Sequence, residues 1–301
     1  MLNKLVELWN KHPLVSQALL VATVILVLIA SGVFYPSTKM GFLLVVVLAV
    51  VNPRVRAFAI DFAPFIILIL TYNTLRAFAD TLGSSDIHIA DLIKWEKDLF
   101  GGTLPNHYLQ HHLWDKPYTP VLDVLANMFY LSHFITPVIV AGALWWKRKS
   151  DYWAFAIGLV VLSYAAFATY VGFPAAPPWW ATYHGYLSDQ PVTLGHFIVS
   201  EEVVNSGPNP VAAMPSLHVA YPTFIALVSM AVWGRKVWFI WLLPLGVLTS
   251  AVYLGHHYVI DGLVGAGYAV FFFNVVFIWL RRNELAFDLA GKLKSVVHGR
   301  I

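Results

Sequence analysis

Cysteine is absent from the 301 residues, and charged side chains make up only 12% of them. The first absence excludes disulfides and thiolate-bound metals, and it leaves the redox compartment unreadable from cysteine usage. The second, set beside 59% hydrophobic residues and a mean hydropathy of +0.68, excludes an ordinary soluble domain. Polar residues are not spread through the depth of several spans, and no inverted repeat or pair of broken helices stands out, which argues against a transporter. What is present is a polytopic membrane protein. Its start carries lysines and then a long apolar run without a small-residue cleavage site, so that run is expected to be kept as a first span.

Eight apolar runs are candidate crossings: Leu14–Tyr35, Met40–Val51, Ala57–Ala79, Thr119–Trp146, Tyr152–Gly172, Pro215–Trp233, Val237–Tyr253 and His257–Leu280. The second is short and also admits a re-entrant hairpin. With eight crossings and both termini inside, fourteen Lys and Arg residues are cytoplasmic, among them Arg54, Arg56, Lys147, Arg148, Lys149, Arg235 and Lys236, against five outside. That bias follows the positive-inside rule and favours eight spans. The expected fold is therefore all-α, a single membrane-embedded helical bundle over residues 1–301. Within it, residues 1–56 form accessory spans, 57–281 the catalytic core and 282–301 a cytoplasmic tail. The tail alternates apolar and basic residues, a pattern that suits an anionic inner leaflet rather than nucleic acid.

Two outer segments do not span. Residues 86–100 mix Ile87, Leu92, Ile93 and Trp95 with Asp91, Lys94, Glu96 and Lys97, a pattern compatible with a helix lying in the interface. The loop 174–214 is rich in Pro, Gly, Trp and Tyr, and Trp179, Trp180, Tyr183 and Tyr186 suit a lid at headgroup level.

The chemistry concentrates in Pro215-Ser216-Leu217-His218 and His257-Tyr258-Val259-Ile260-Asp261, which this topology puts at the outer end of two apolar helices. Pro215 fits the first position of a helix, where a missing N–H costs nothing. The backbone N–H groups of Ser216, Leu217 and His218 would then face an anion, with the Ser216 hydroxyl adding a donor. His257 and Asp261, four residues apart, are expected to share a helix face. A carboxylate there fixes the imidazole tautomer and frees the other nitrogen to attack. One histidine attacks phosphorus and the other protonates the leaving oxygen, a phosphohistidine route that needs no metal or cofactor.

Most of the other histidines read as packing or interfacial residues. Ionisable groups at the ends of apolar helices, with an acid interrupting a run of Val, Ile, Leu, Gly and Phe, are costly unless they are used. The adjacent pairs His111-His112 and His256-His257 do not suggest a metal, because neighbouring helix residues point about 100° apart. His133, inside a span after Ser132, reads as a structural hydrogen-bonding residue.

These residues resemble the type 2 phosphatidic acid phosphatase superfamily, and within it the branch that includes fungal inositol phosphorylceramide synthase. The resemblance rests on Pro215–His218, on His257–Asp261 followed by Gly265, on the 38 residues between His218 and His257, and on the proline-rich stretch Tyr170–Pro178. More diffusely it extends to Tyr72, Arg76, Glu96–Gly102, Leu109-Gln110 and Ser132-His133. It implies a six-helix phosphatase-like core in which His257 is the nucleophile, Asp261 orients it and His218 serves as acid and base. The implied substrates are phospholipids or isoprenoid phosphates, handled on the extracytoplasmic side.

The departures bear on the substrate. The family's phosphatases carry an arginine six residues before the nucleophile, where this chain has Ala251, and the upstream lysine-arginine-proline motif is missing. Another cation must balance phosphate charge. Arg76 is the first candidate, with Tyr72 on the same helix face; Lys94 and Lys97 follow. Water as acceptor would make a lipid phosphate phosphatase, and an alcohol such as ceramide a phosphotransferase. The missing arginine and the synthase-like branch lean toward the transferase, because a diester carries less charge than a monoester. A non-catalytic lipid-binding scaffold would not need attacking, orienting and protonating groups together.

Overall fold

The computed structural model describes residues 60–65, 68, 71, 86–194 and 210–283. The chain divides into two compact units, Met1–Ala63 and Pro64–Ile301. Of the first, only residues 60–63 are described, and they are helical. The expected spans Leu14–Tyr35 and Met40–Val51, most of Ala57–Ala79, and the tail from 284 lie outside the described residues.

Regular structure among the described residues is helical throughout. The strand-like pairing consists of isolated bridges, His88 with Ala175 and Ala175 with Ala212. Three short helices come from the non-spanning segments: α1 (Ala90–Leu99), α2 (Pro105–Leu113) and, after α3 and α4, α5 (Pro178–Tyr183). Four stretches are long and apolar enough to cross a membrane: α3 (Thr119–Lys147), α4 (Lys149–Gly172), Leu217–Tyr253, and Val259–Arg282. Met128, Phe134, Ile135 and Phe271 face outward and exposed, as a lipid surround requires. The protein is an integral membrane protein.

The third stretch is not one rod. As a straight helix its 37 residues would reach about 55 Å, yet its two ends meet, since His218 near the start lies 2.9 Å from His257 just past the end. The break is at Gly234, whose φ of 74° a side-chain-bearing residue rarely adopts. The stretch therefore folds back as α6 (Leu217–Trp233), a tight turn of 3-10 helix (Gly234–Trp241) and α7 (Leu242–Tyr253). The last stretch begins as α8 (Val259–Phe272) and continues through a π-helical turn, Phe273–Ile278, to Arg282.

Lipid is as apolar as leucine, so packing between spans depends on close approach rather than on escape from water. Glycines supply it. A β-carbon at Gly158 on α4 would stand 2.6 Å from the Phe224 ring of α6, and one at Gly262 on α8 would stand 2.3 Å from Leu248 of α7. Phe224 in turn meets Phe155 and Phe277, joining α4, α6 and the last stretch in one buried aromatic row.

Polarity separates the two ends of the bundle. At one end Arg281 pairs with Asp151 at 2.9 Å and donates to the Ala231 carbonyl at 3.0 Å, which gathers Lys147–Lys149, Arg235–Lys236 and Arg281–Arg282. At the other, Tyr170 donates to the Pro215 carbonyl at 2.7 Å, and the short helices cover the helix ends that carry His218 and His257. Beneath α1, Leu92, Ile93, Leu104, Leu187, Met214 and Tyr258 form a separate apolar cluster.

Candidate active site

The expected anion-facing element is the start of α6. Its cap is Ser216 rather than Pro215, which lies one residue outside the helix. The Ser216 N–H donates to the Asp261 carbonyl at 3.0 Å. Leu217 and His218 occupy the first turn, where backbone N–H groups find no acceptor inside the helix. Close contact with α8 sets this start in place: a β-carbon at Gly265 would lie 2.3 Å from the Ser216 carbonyl oxygen.

His257 sits ahead of α8, not on it. The helix begins at Val259 with Tyr258 as its cap, so His257 and Asp261 meet across a helix start instead of along a helix face. The reason is competition for the carboxylate, whose Oδ2 accepts the Tyr258 N–H at 2.9 Å. His257 Nδ1 lies 3.4 Å from the same oxygen, beyond a normal hydrogen bond.

Two helices outside the bundle hold this turn. Asn106 of α2 donates through Nδ2 to the carbonyls of Val252 and His257, each at 2.8 Å. Gln110 donates to the carbonyls of Tyr253 and Thr193 and accepts the Thr193 N–H. From α1, Glu96 is fully buried and accepts the Val259 N–H at 2.8 Å on one oxygen and the Ile260 N–H at 3.1 Å on the other. Burial pushes its carboxyl up to about 7; the two backbone bonds work against that rise and the nearby Asp261 charge adds to it.

At the centre His218 Nδ1 is 2.9 Å from His257 Nε2. The other nitrogen of His218, Nε2, is 2.8 Å from the Tyr130 hydroxyl of α3. Tyr130 is stacked against both His218 and His256, and its carbonyl is bonded by His133 Nδ1. Burial, helped by His257 and His133, holds His256 down to about 3, so it stays neutral. Ser216 Oγ, His257 Nδ1 and Asp261 Oδ1 are buried without a hydrogen-bond partner among the described residues. Asn106 Oδ1 and the Tyr258 hydroxyl close by are likewise without such a partner, so the fold does not use up the polar groups of this region.

Of the cations considered from sequence, Lys94 bonds Asp98 on the exposed side of α1, and Lys97 pairs with Asp189 of the loop after α5 at 2.7 Å, holding that carboxyl below its usual range. Tyr72 and Arg76 lie outside the described residues. Among the described residues, no three histidine or carboxylate side chains converge as a metal site. Tyr130 and Asn106 were unread in the sequence. Tyr130 sits in an apolar run, three residues before His133, and that spacing alone could have paired them on one helix face.

A family model described as the PAP2 superfamily matches residues 90–275. A phosphoinositol dihydroceramide synthase of Bacteroides thetaiotaomicron is 32% identical over 240 residues, which is 71% of this chain and 75% of that protein. No solved structure matches.

Proposed function

This chain belongs to the PAP2 superfamily, and we propose that within it the chain moves a phosphoinositol-type headgroup from a phospholipid to a long-chain lipid alcohol such as a ceramide. It is a lipid phosphatase or phosphotransferase enzyme, and its substrate is a lipid. The observation that carries the mechanism is the 2.9 Å contact between His218 Nδ1 and His257 Nε2 at the start of α6, with Asp261 3.4 Å behind His257.

The donor's phosphate sits against the first-turn N–H groups of α6 and the Ser216 hydroxyl, where oriented donors and the helix dipole stabilise its charge. His257 Nε2 attacks phosphorus, and the bond from phosphorus to the diacylglycerol oxygen breaks. That oxygen takes a proton from His218 Nδ1. Asp261 stabilises the phosphorylated, positively charged imidazole. In the second half the acceptor hydroxyl gives its proton to His218 Nδ1 and attacks phosphorus, releasing His257. Arg76 and Tyr72 remain the candidates for further phosphate contacts. Because Lys94 and Lys97 are engaged with Asp98 and Asp189, a singly charged diester suits the described groups better than a doubly charged monoester. The Bacteroides relative supports the same transferase reading.

The basic residues gathered at the opposite end of the bundle support an active site on the extracytoplasmic face. Replacing the lipid alcohol with water turns the same covalent half-reaction into hydrolysis of phosphatidic acid or an isoprenyl phosphate. Incubating the protein and its His257→Ala variant with phosphatidylinositol, phosphatidic acid or isoprenyl diphosphate, with and without ceramide, separates these outcomes. Acceptor-dependent formation of a new inositol lipid, lost in the variant, is expected. Phosphate release alone would make it a phosphatase, and equal activity in both proteins would remove the phosphohistidine.

A further inference from the structure

We infer that Tyr130 is a positioning residue for His218, holding its Nε2 so that the proton exchanged with substrate is always the one on Nδ1. This rests on the reading of His218 as the acid and base of the transfer.

An imidazole shuttling a proton at one nitrogen needs something to fix the other, because a neutral ring has two tautomers and only one of them presents a lone pair to the substrate. For His257 the candidate is Asp261. For His218 the group at the far nitrogen is the Tyr130 hydroxyl, 2.8 Å from Nε2. When His218 carries both protons, Nδ1–H points to the lone pair of His257 Nε2 at 2.9 Å and Nε2–H points to the Tyr130 oxygen, so each contact has a donor and an acceptor. When phosphate enters between the two rings, Nδ1–H leaves the His257 lone pair, which is then free to attack, and turns to the leaving oxygen; once it has passed there, the remaining proton stays on Nε2, bonded to Tyr130. The lone pair on Nδ1 then faces the acceptor hydroxyl. A phenol suits the task because its oxygen accepts this hydrogen bond while the proton stays on the imidazole.

The phenol ring is stacked on two sides and its backbone is tied by a hydrogen bond. Its ring is stacked on His218 with centroids 4.5 Å apart and on the neutral His256 at 4.6 Å, and the residue is 5% exposed. The backbone carbonyl of Tyr130 accepts from His133, whose ring meets His218 edge-on at 4.2 Å. Rotation of His218 away from the His257 side would therefore break a stack and a hydrogen bond together.

Tyr130→Phe keeps the stacked ring and removes only the hydroxyl. The test is a single-turnover comparison of two donors: phosphatidylinositol, whose alkoxide needs a proton to leave, and a p-nitrophenyl phosphodiester of inositol, whose phenolate leaves without one. The variant is expected to release diacylglycerol at least about tenfold more slowly than the wild type, a part of the roughly 100-fold or more that a well-placed proton donor contributes. Its burst of p-nitrophenol should stay within about threefold of wild type, and that burst also shows that the fold and His257 are intact. Equal slowing with both donors would make Tyr130 merely structural, and slowing with neither would remove its role; either result overturns the inference. A wild-type protein that releases neither product would instead overturn the transfer reading on which the inference rests.

Discussion

Gly265 and Ser216 touch backbone to backbone: a β-carbon on the glycine would lie 2.3 Å from the serine carbonyl oxygen and 3.1 Å from its carbonyl carbon. Nothing flexible lies between them, so Gly265→Ala must push α6 off α8. The displaced residues are those proposed to face the phosphate. A shift of about 1 Å in such groups costs on the order of 100-fold in rate, so kcat for headgroup transfer should fall by about that factor. A kcat within twofold of wild type would show that the start of α6 does not set the reaction geometry.

Asn106 bridges the end of α7 and His257, the proposed nucleophile. Asn106→Leu leaves the Val252 and His257 carbonyls without these donors at a buried position, each worth about 1–3 kcal/mol. The melting temperature of the detergent-solubilised protein should drop measurably. Activity should fall further than the melt accounts for, because the freed turn carries His257. Activity that survives in full at a temperature well below the melt would separate this bond pair from catalysis.

Glu96 makes stability depend on pH with a definite sign. Its carboxyl moves from an ordinary 4.5 to about 7 on folding, chiefly through burial. Between those values the folded protein keeps a proton that the unfolded chain has lost, so this contribution is complete below 4.5 and disappears as the pH rises through about 7. Melting temperatures of wild type and Glu96→Gln, measured from pH 4 to 8, should differ by an amount that changes steadily against the wild type across that window and levels off above it. A constant difference would mean that Glu96 ionises like an exposed carboxylate.

The lack of cysteine makes sidedness simple to measure, since any introduced thiol is unique. Tyr183 is 78% exposed at the end that carries the histidines, and Lys236 is exposed at the basic end. In sealed, right-side-out membranes, a membrane-impermeant maleimide should label Tyr183→Cys and spare Lys236→Cys until the membrane is opened. The opposite pattern would put the transfer site in the cytoplasm.

Sequence reading and structure part company where contacts are long in range. Ser216, His218, His257 and Asp261 stand in two short runs that residue type and spacing single out, and the fold brings those runs together; the apolar lengths of the spans needed no partner to be read. Val259 as the start of α8 was less legible, because Asp261 turns its carboxylate to the helix cap and thereby excludes His257 from the helix. Glu96 looked like one charge among six on an amphipathic surface helix. Only the fold brings it to Val259, 163 residues away, just as it brings Tyr130 to His218 across 88. Neither pairing has a period or a local motif of its own: the resemblance touches Glu96 only diffusely, and the spacing of Tyr130 to His133 gives a shared helix face without giving His218 as the partner.

The doubled-back stretch from Leu217 to Tyr253 gives the interval between the two motifs a physical meaning. His218 and His257 are 39 positions apart, or about 60 Å of helix, which is twice the roughly 30 Å of a hydrocarbon core. The chemistry dictates which side chains must meet, and the thickness of the bilayer dictates how much chain lies between them. A lengthened or shortened hairpin would therefore mistune the protein to its membrane before it altered any reacting group.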